Sequence, residues 1–463
     1  MYNIKLSPKA WQKYVMPVLN LTSKVTMVAL GLSLTVMGNT ANILKTQNEG
    51  LSLDELVEKV QQYQETQGIW VAQKNIANAN VKNSQLWQNP NLSIERTGLK
   101  GGEEQEWNIG ISQPLDIFGQ RKAAKNLANI VQDQLQLKQK IYDQQLRIIV
   151  KYMWSKVMLS EVEATLLSEQ LQVSQESLQA AEKRFQAGSI AQIDVDRIRF
   201  THLDNLKLLQ EVNLRLEIEQ RQLANLFGQT ESKHTIKSDL HSLWPSKTAD
   251  QVSQNLQENV QEKVLQAQIS EAKANVDILK AQSRPNPEVS FGVKQTKAPQ
   301  EGNEQQLILG ITVPLMIFNR NQYGMEIARA KENVFEKQKQ FYKKQNQLEL
   351  QTLLAELNGL KQQFNLMAEQ QIPLALNIQK RTLTGFQAGK LNVTDIQQAT
   401  FQLHEARLQV LQLLKAAWQK SIEAESLSLG IEPSQLMAKD ALNQINQTLI
   451  QDTNAIAVIG MGN

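Results

Sequence analysis

The 463-residue chain has no cysteine, and that absence removes several chemistries at once. A disulfide frame, a thiolate metal site, a Cys nucleophile and lipid attachment to an N-terminal cysteine are all excluded. Aromatic residues make up only 5%, against 41% hydrophobic and 21% charged, a mixture that favours long helices over a compact enzyme core. Four histidines (His202, His234, His241 and His404) are scattered without metal-ligand spacing. No charge of one sign dominates either. The 49 basic and 46 acidic side chains leave a net +3 and are interspersed, so they read as solvated helix faces and give no reason to expect nucleic acid. No nucleophile elbow, phosphate loop or metal cluster occurs, and we expect neither an enzyme nor a cofactor.

Long apolar runs are scarce too. Lys5, Lys9, Lys13 and Lys24 precede one from Val25 to Met37, closed by Gly38-Asn39-Thr40-Ala41. A basic start, a short apolar stretch and a small-residue exit predict a secretory signal peptide over residues 1–41. Beyond residue 42 nothing is long enough to span a bilayer as a helix, which takes about 20 apolar residues. If this chain crosses a membrane, it must use strands.

What the sequence does contain is itself, twice. Asn89-Pro90-Asn91-Leu92-Ser93-Ile94 returns as Asn286-Pro287-Glu288-Val289-Ser290-Phe291. Gly110-Ile111-Ser112-Gln113-Pro114-Leu115-Asp116-Ile117-Phe118 returns as Gly310-Ile311-Thr312-Val313-Pro314-Leu315-Met316-Ile317-Phe318, an offset of 200. Phe185-Gln186-Ala187-Gly188 and Asp194-Val195 recur as Phe386-Gln387-Ala388-Gly389 and Asp395-Ile396, an offset of 201. Phe227-Gly228 comes back as Leu429-Gly430. Landmarks in one order at one spacing are a tandem duplication. Its copies span 50–230 and 252–430, with a linker at 231–251 and a tail at 431–463.

Each copy has one grammar: a helical stretch (53–87; 252–283), two alternating segments, then a long helical hairpin. In the first copy Leu92, Ile94, Trp107, Ile109 and Ile111 fall on one face; in the second Val289, Phe291, Val293, Leu307, Leu309 and Ile311 do. Polar or small residues alternate with them, which is the strand signal. From Gly119 to Phe185 no Pro or Gly intervenes, so one helix of roughly 100 Å is expected. Its apolar residues, Ile149 through Phe185, recur at spacings of 3, 4 or 7 and ask for partner helices. The matching second-copy stretch meets Gly324, Gly359 and then Pro373, where a kink or local break is expected. Four strands cannot close a barrel alone, and lipid does not tolerate open sheet edges, so several copies must share one barrel.

This duplicated pattern resembles the TolC-type outer membrane efflux proteins, and the 111–121 segment Ile-Ser-Gln-Pro-Leu-Asp-Ile-Phe-Gly-Gln-Arg is most similar to their cobalt–zinc–cadmium branch. The resemblance implies a mainly α fold with a small β part. In it a homotrimer pools four strands per protomer into a twelve-stranded barrel in outer membrane lipid, above a helical tunnel in the periplasm. It implies a passive channel served by an inner-membrane pump of the resistance-nodulation-division type and by a periplasmic adaptor (membrane fusion) protein. The turns at Phe185, Gly188, Phe386 and Gly389 would dock that adaptor, and Asp395, with Asp194, would narrow the tunnel. Some relatives carry a further Asp three residues later; here the positions hold Gln398 and Arg197, the latter beside Asp196. Divalent heavy metals are the expected cargo. A channel for drugs or for type I protein secretion, and a periplasmic coiled-coil scaffold, remain alternatives.

Overall fold

The computed structural model describes residues 52–98, 104–230, 243–245, 248–257, 259–298 and 302–458. The expected signal peptide, most of the 231–251 linker and the hairpin tips 99–103 and 299–301 lie outside the described residues. Eleven α-helices and four strands follow in order among them. They are α1 (Leu53–Thr66), α2 (Ile69–Asn83), β1 (Asn91–Thr97), β2 (Gln105–Pro114), α3 (Gln120–Gln186), α4 (Gln192–Asn225), α5 (Thr248–Gln257) and α6 (Val260–Gln282). Then come β3 (Glu288–Ala298), β4 (Gly302–Thr312), α7 (Gln322–Leu366), α8 (Ile372–Gln387), α9 (Val393–Leu429), α10 (Pro433–Leu436) and α11 (Ala441–Val458).

Local chemistry sets these limits. Ser52 and Glu55 form a capping box that starts α1, the Ser52 N–H donating to Glu55 Oε2 at 2.7 Å. The helix expected over 53–87 is two helices, because Gly68 turns left-handed (φ 69°) between α1 and α2. The second copy divides likewise, and α5 already begins at Thr248, inside the stretch read as linker. α3 runs its 67 residues unbroken. α7 passes Gly324 and Gly359 without interruption, and the break comes only at the proline. A π-turn at Met367–Gln371 precedes it, in which the Ile372 N–H bonds to Met367 O, five residues back. The wider turn accommodates Pro373, which lacks the N–H and crowds the carbonyl four residues before it.

The chain forms two compact units, and neither coincides with a sequence copy. One comprises residues up to 67, 143–258 and 347–444; the other comprises 68–142, 259–346 and 445 onward. In the first, Val252, Leu350, Leu353, Leu357, Ala417, Ala424 and Leu427 form a buried cluster with Trp244 and Leu354 against it. Across α3 and α9, running in opposite directions, three ion pairs repeat: Lys151 with Glu425, Glu163 with Lys415, and Glu169 with Arg407. Burial pushes the Glu163 carboxyl up, but hydrogen bonds from Lys415 and Arg215 outweigh it and leave the group below its ordinary range.

The second unit carries a single antiparallel sheet in the order β1-β2-β3-β4. Ile109 stands opposite both Ile94 and Val293, Ile111 opposite Leu92 and Phe291, and Leu309 opposite Phe291. Directly opposed residues share a face, so this register gathers the apolar residues of both copies on one side, apart from Ile308, which stands opposite Gly292 on the other. Below this sheet in the chain order, Trp70 packs edge-on to Tyr142 at 5.5 Å, and Gln73 donates to Leu449 O of the tail helix α11.

Candidate functional site

On the face that holds Leu92, Ile109 and Leu309, every apolar strand residue except the half-buried Val289 is exposed, from Val293 at 40% to Leu307 and Leu309 at 75%; Ile308, on the opposite face, is half-buried. On the other face lie Ser93, Gly110, Ser290, Gly292 and Gly310, whose small side chains suit a crowded or polar interior. The outer edges of β1 and β4 pair with no other described strand. On α7 a second apolar stripe, Tyr323, Ile327, Val334 and Phe341, recurs at spacings of four and seven and is also exposed. Among the described residues, no helix is long and apolar enough to cross a membrane and no group of three or more His, Asp or Glu could hold a metal ion.

The hairpin tips close in one way in both copies. Gly188 and Gly389 take φ of 70° and 74°, a conformation that favours glycine over residues with a Cβ. Carbonyls left free by the ending helix are then taken up by Ser189 N–H on Arg184 O and by Lys390 N–H on Gly385 O. A Cβ at either glycine would meet nothing within 4 Å, so a larger residue there would be opposed by backbone strain and not by crowding.

The phenylalanines part company. Phe185 is 42% exposed; Phe386 is wholly buried among Leu178, Ala181, Val195, Ile198, Val393 and Ile396. Expected as a docking residue, Phe386 instead anchors the tip, because the first-copy helices close over its ring. Arg184, which the motif search passed over, fastens the arrangement. Its Nη1 donates to Phe386 O and to Leu391 O, both at 3.1 Å, and its guanidinium lies 4.6 Å from the Phe386 ring centroid. A signal was available: at the 201-residue offset, Arg184 faces Gly385 within an otherwise repeated motif.

The two aspartates also differ. Asp395 joins Asn392 in a capping box at the start of α9, Asp395 N–H to Asn392 Oδ1 and Asn392 N–H to Asp395 Oδ2, both 2.9 Å. Asp194 has Ala191 at the corresponding cap position and makes no such box; Arg197 stands 3.6 Å from it. Asp116, in the strand-to-helix segment, is the N-terminal acceptor of α3, taking the N–H groups of Gln120 (2.7 Å) and Arg121 (2.9 Å). Arg121 in turn stacks on Trp87 at 3.8 Å.

Comparison with known proteins bears on this geometry. Residues 71–229 match the family model described as outer membrane efflux protein. The chain is 23% identical over 309 residues to the cobalt-zinc-cadmium resistance protein CzcC of Cupriavidus metallidurans, covering 66% of this chain and 73% of that protein. Its fold is similar to that of the Vibrio cholerae outer membrane protein VceC, with a TM-score of 0.62 at 15% identity over 82% of this chain and 96% of that one. It is likewise similar to CusC (0.60, 17%, 82% and 92%) and to the Campylobacter jejuni CmeC outer membrane channel (0.59, 11%, 94% and 98%).

Proposed function

We propose that this chain is an outer membrane efflux channel of the tripartite kind, three copies of which close one barrel to release divalent heavy-metal cations. The sheet is the observation that carries this. Four strands with an apolar face turned outward and two unpaired edges are unsatisfied in water and in lipid alike. An unpaired backbone group in hydrocarbon costs several kcal/mol, so β4 of one copy needs β1 of the next until the ring closes. Twelve strands do so, and the exposed stripe on α7 gives the helices of neighbouring copies a seam to share.

The channel does no chemistry; it supplies a path. Energy would come from an inner-membrane pump of the resistance-nodulation-division type through a periplasmic adaptor, and Phe185 is an exposed apolar side chain the tips offer to it. Three copies of Asp395 would form a ring of negative potential that attracts cations and resists closing on itself. Likeness to CzcC supports the choice of cargo.

Fractionation of the native membrane and heat-modified gel mobility test the channel reading: the protein is expected in the outer membrane as a trimer that dissociates on boiling. A water-soluble monomer would end it. Growth of a deletion strain on zinc, cobalt, cadmium, copper and a drug panel tests the cargo. Sensitivity to the drugs alone would replace the metal assignment.

A further inference from the structure

Where the strands hand over to helices, the sheet-bearing unit has an open cleft of about 570 Å³ between the start of α3 and the end of α6. Lys122, Lys125, Lys280 and Arg284 line it against one carboxylate, Asp277. Among the described residues none of these four cations pairs with a carboxylate, although Lys273 on the same α6 has found Glu332. A chain whose whole net charge is +3 therefore concentrates uncompensated positive charge in one place. Such a concavity raises the local concentration of anions.

The cleft is also amphipathic. Phe118 forms its apolar wall, with the Arg284 guanidinium 5.7 Å from the ring centroid, and the adjoining Ile117 is 60% exposed. Position narrows the occupant further. Arg284 precedes β3 by four residues and Lys122 follows β2 by eight, so these cations sit just beyond the strand ends, at the margin of the sheet. That is where a headgroup layer begins if the strands span the bilayer, and basic side chains at that level meet anionic lipid. A free phosphate would leave most of 570 Å³ empty and the aromatic wall unused.

We propose that this cleft holds the phosphate of an anionic phospholipid from the periplasmic leaflet, the cations on its oxygens and the glycerol and first methylenes against Phe118. The assignment rests on the sheet being membrane-spanning. It is tested on the full-length trimer in an uncharged detergent, by thermal midpoint and native mass spectrometry. The additives are phosphatidylglycerol, phosphatidylcholine or inorganic phosphate at matched concentrations. The wild type should bind phosphatidylglycerol at least tenfold more tightly than phosphatidylcholine. Lys122→Gln/Lys125→Gln/Lys280→Gln/Arg284→Gln should lose that preference, while the control Lys343→Gln/Lys344→Gln, at exposed positions on α7, keeps it.

An unchanged preference in the fourfold variant overturns the proposal, as does equal binding of the two lipids or displacement of lipid by inorganic phosphate. Should the fourfold variant not assemble, the single changes at exposed Lys122 and Lys280 decide, each expected to weaken phosphatidylglycerol binding about threefold. Failure of the wild type to form an outer membrane trimer would end the channel reading. Unchanged lipid preference in an assembled variant trimer would end only this one.

Discussion

The first-copy and second-copy tips share the Phe-Gln-Ala-Gly turn and an aspartate six residues beyond it, yet they are packed and capped differently. The first is open: Phe185 faces outward, α4 starts without a side-chain cap, and Asp194 has Arg197 as a neighbour. The second is closed: Phe386 is buried, Asn392 and Asp395 cap α9, and Gly385 brings Leu391 so close that a Cβ there would lie 2.7 Å from its Cδ1. The junctions after the hairpins reverse the contrast. Asp116 secures the start of α3, whereas Met316 stands at that place in the second copy, Phe318 is 90% exposed and Asn321 sits at φ 55°. Duplication supplied two equal hairpins, and divergence left each copy firm at one element and free at another.

Truncating the phenylalanines tests that contrast most severely. Phe386→Ala removes a fully buried ring and should cost about 3–5 kcal/mol, read as a lower dissociation temperature of the proposed trimer on a gel. Phe185→Ala should leave that temperature nearly unchanged and impair efflux instead. Equal thermal losses would mean the tips are equivalent after all. Next in size is Arg184→Met, which keeps the stem but deletes two charge-assisted hydrogen bonds and the ring contact, for about 2 kcal/mol. Faster hydrogen exchange at Gly385–Leu391, and not at the first-copy turn, is the expected signature. Asp116→Ala should cost about 1 kcal/mol, the ordinary worth of a helix cap, with exchange rising over the first turn of α3.

How much of this the sequence disclosed follows from the range of the forces involved. Alternation in 92–94, 107–111 and 289–311 is local and marked the strands and their apolar face, because a strand's side-chain period is fixed by its own backbone. The unbroken stretch after Gly119 disclosed α3 for the same reason. Gly68, lying inside an otherwise helical stretch, was passed over, and with it the split between α1 and α2. Fates set by distant partners were not legible. Nothing local says that Phe386 would be enclosed while Phe185 is not, since Leu178, Ala181, Val195 and Ile198 lie some two hundred residues away in the chain. Arg184 is not marked by what the copies share. What they do not share, Arg184 against Gly385 and Asn392 against Ala191, is where the tips acquire their separate characters.

The smallest effect expected sharpens the comparison furthest, because it separates the two aspartates by charge alone. Arg197 sits 3.6 Å from the Asp194 carboxylate and offsets its field, whereas Gln398 occupies the matching place after Asp395 and offsets nothing. Asp395 spends one oxygen on the Asn392 N–H, a dipole that leaves the full negative charge in place. In the proposed trimer, threefold repetition of that charge around a narrow path should favour cations. In planar bilayers Asp395→Asn, which keeps an oxygen for the cap, should therefore lower cation selectivity a few-fold and raise conductance slightly. Asp194→Asn should change either by less, and Arg197→Gln should raise cation selectivity by unmasking Asp194. If Asp194→Asn proves the more damaging of the two, the first copy lines the constriction and the assignment of roles to the tips is inverted.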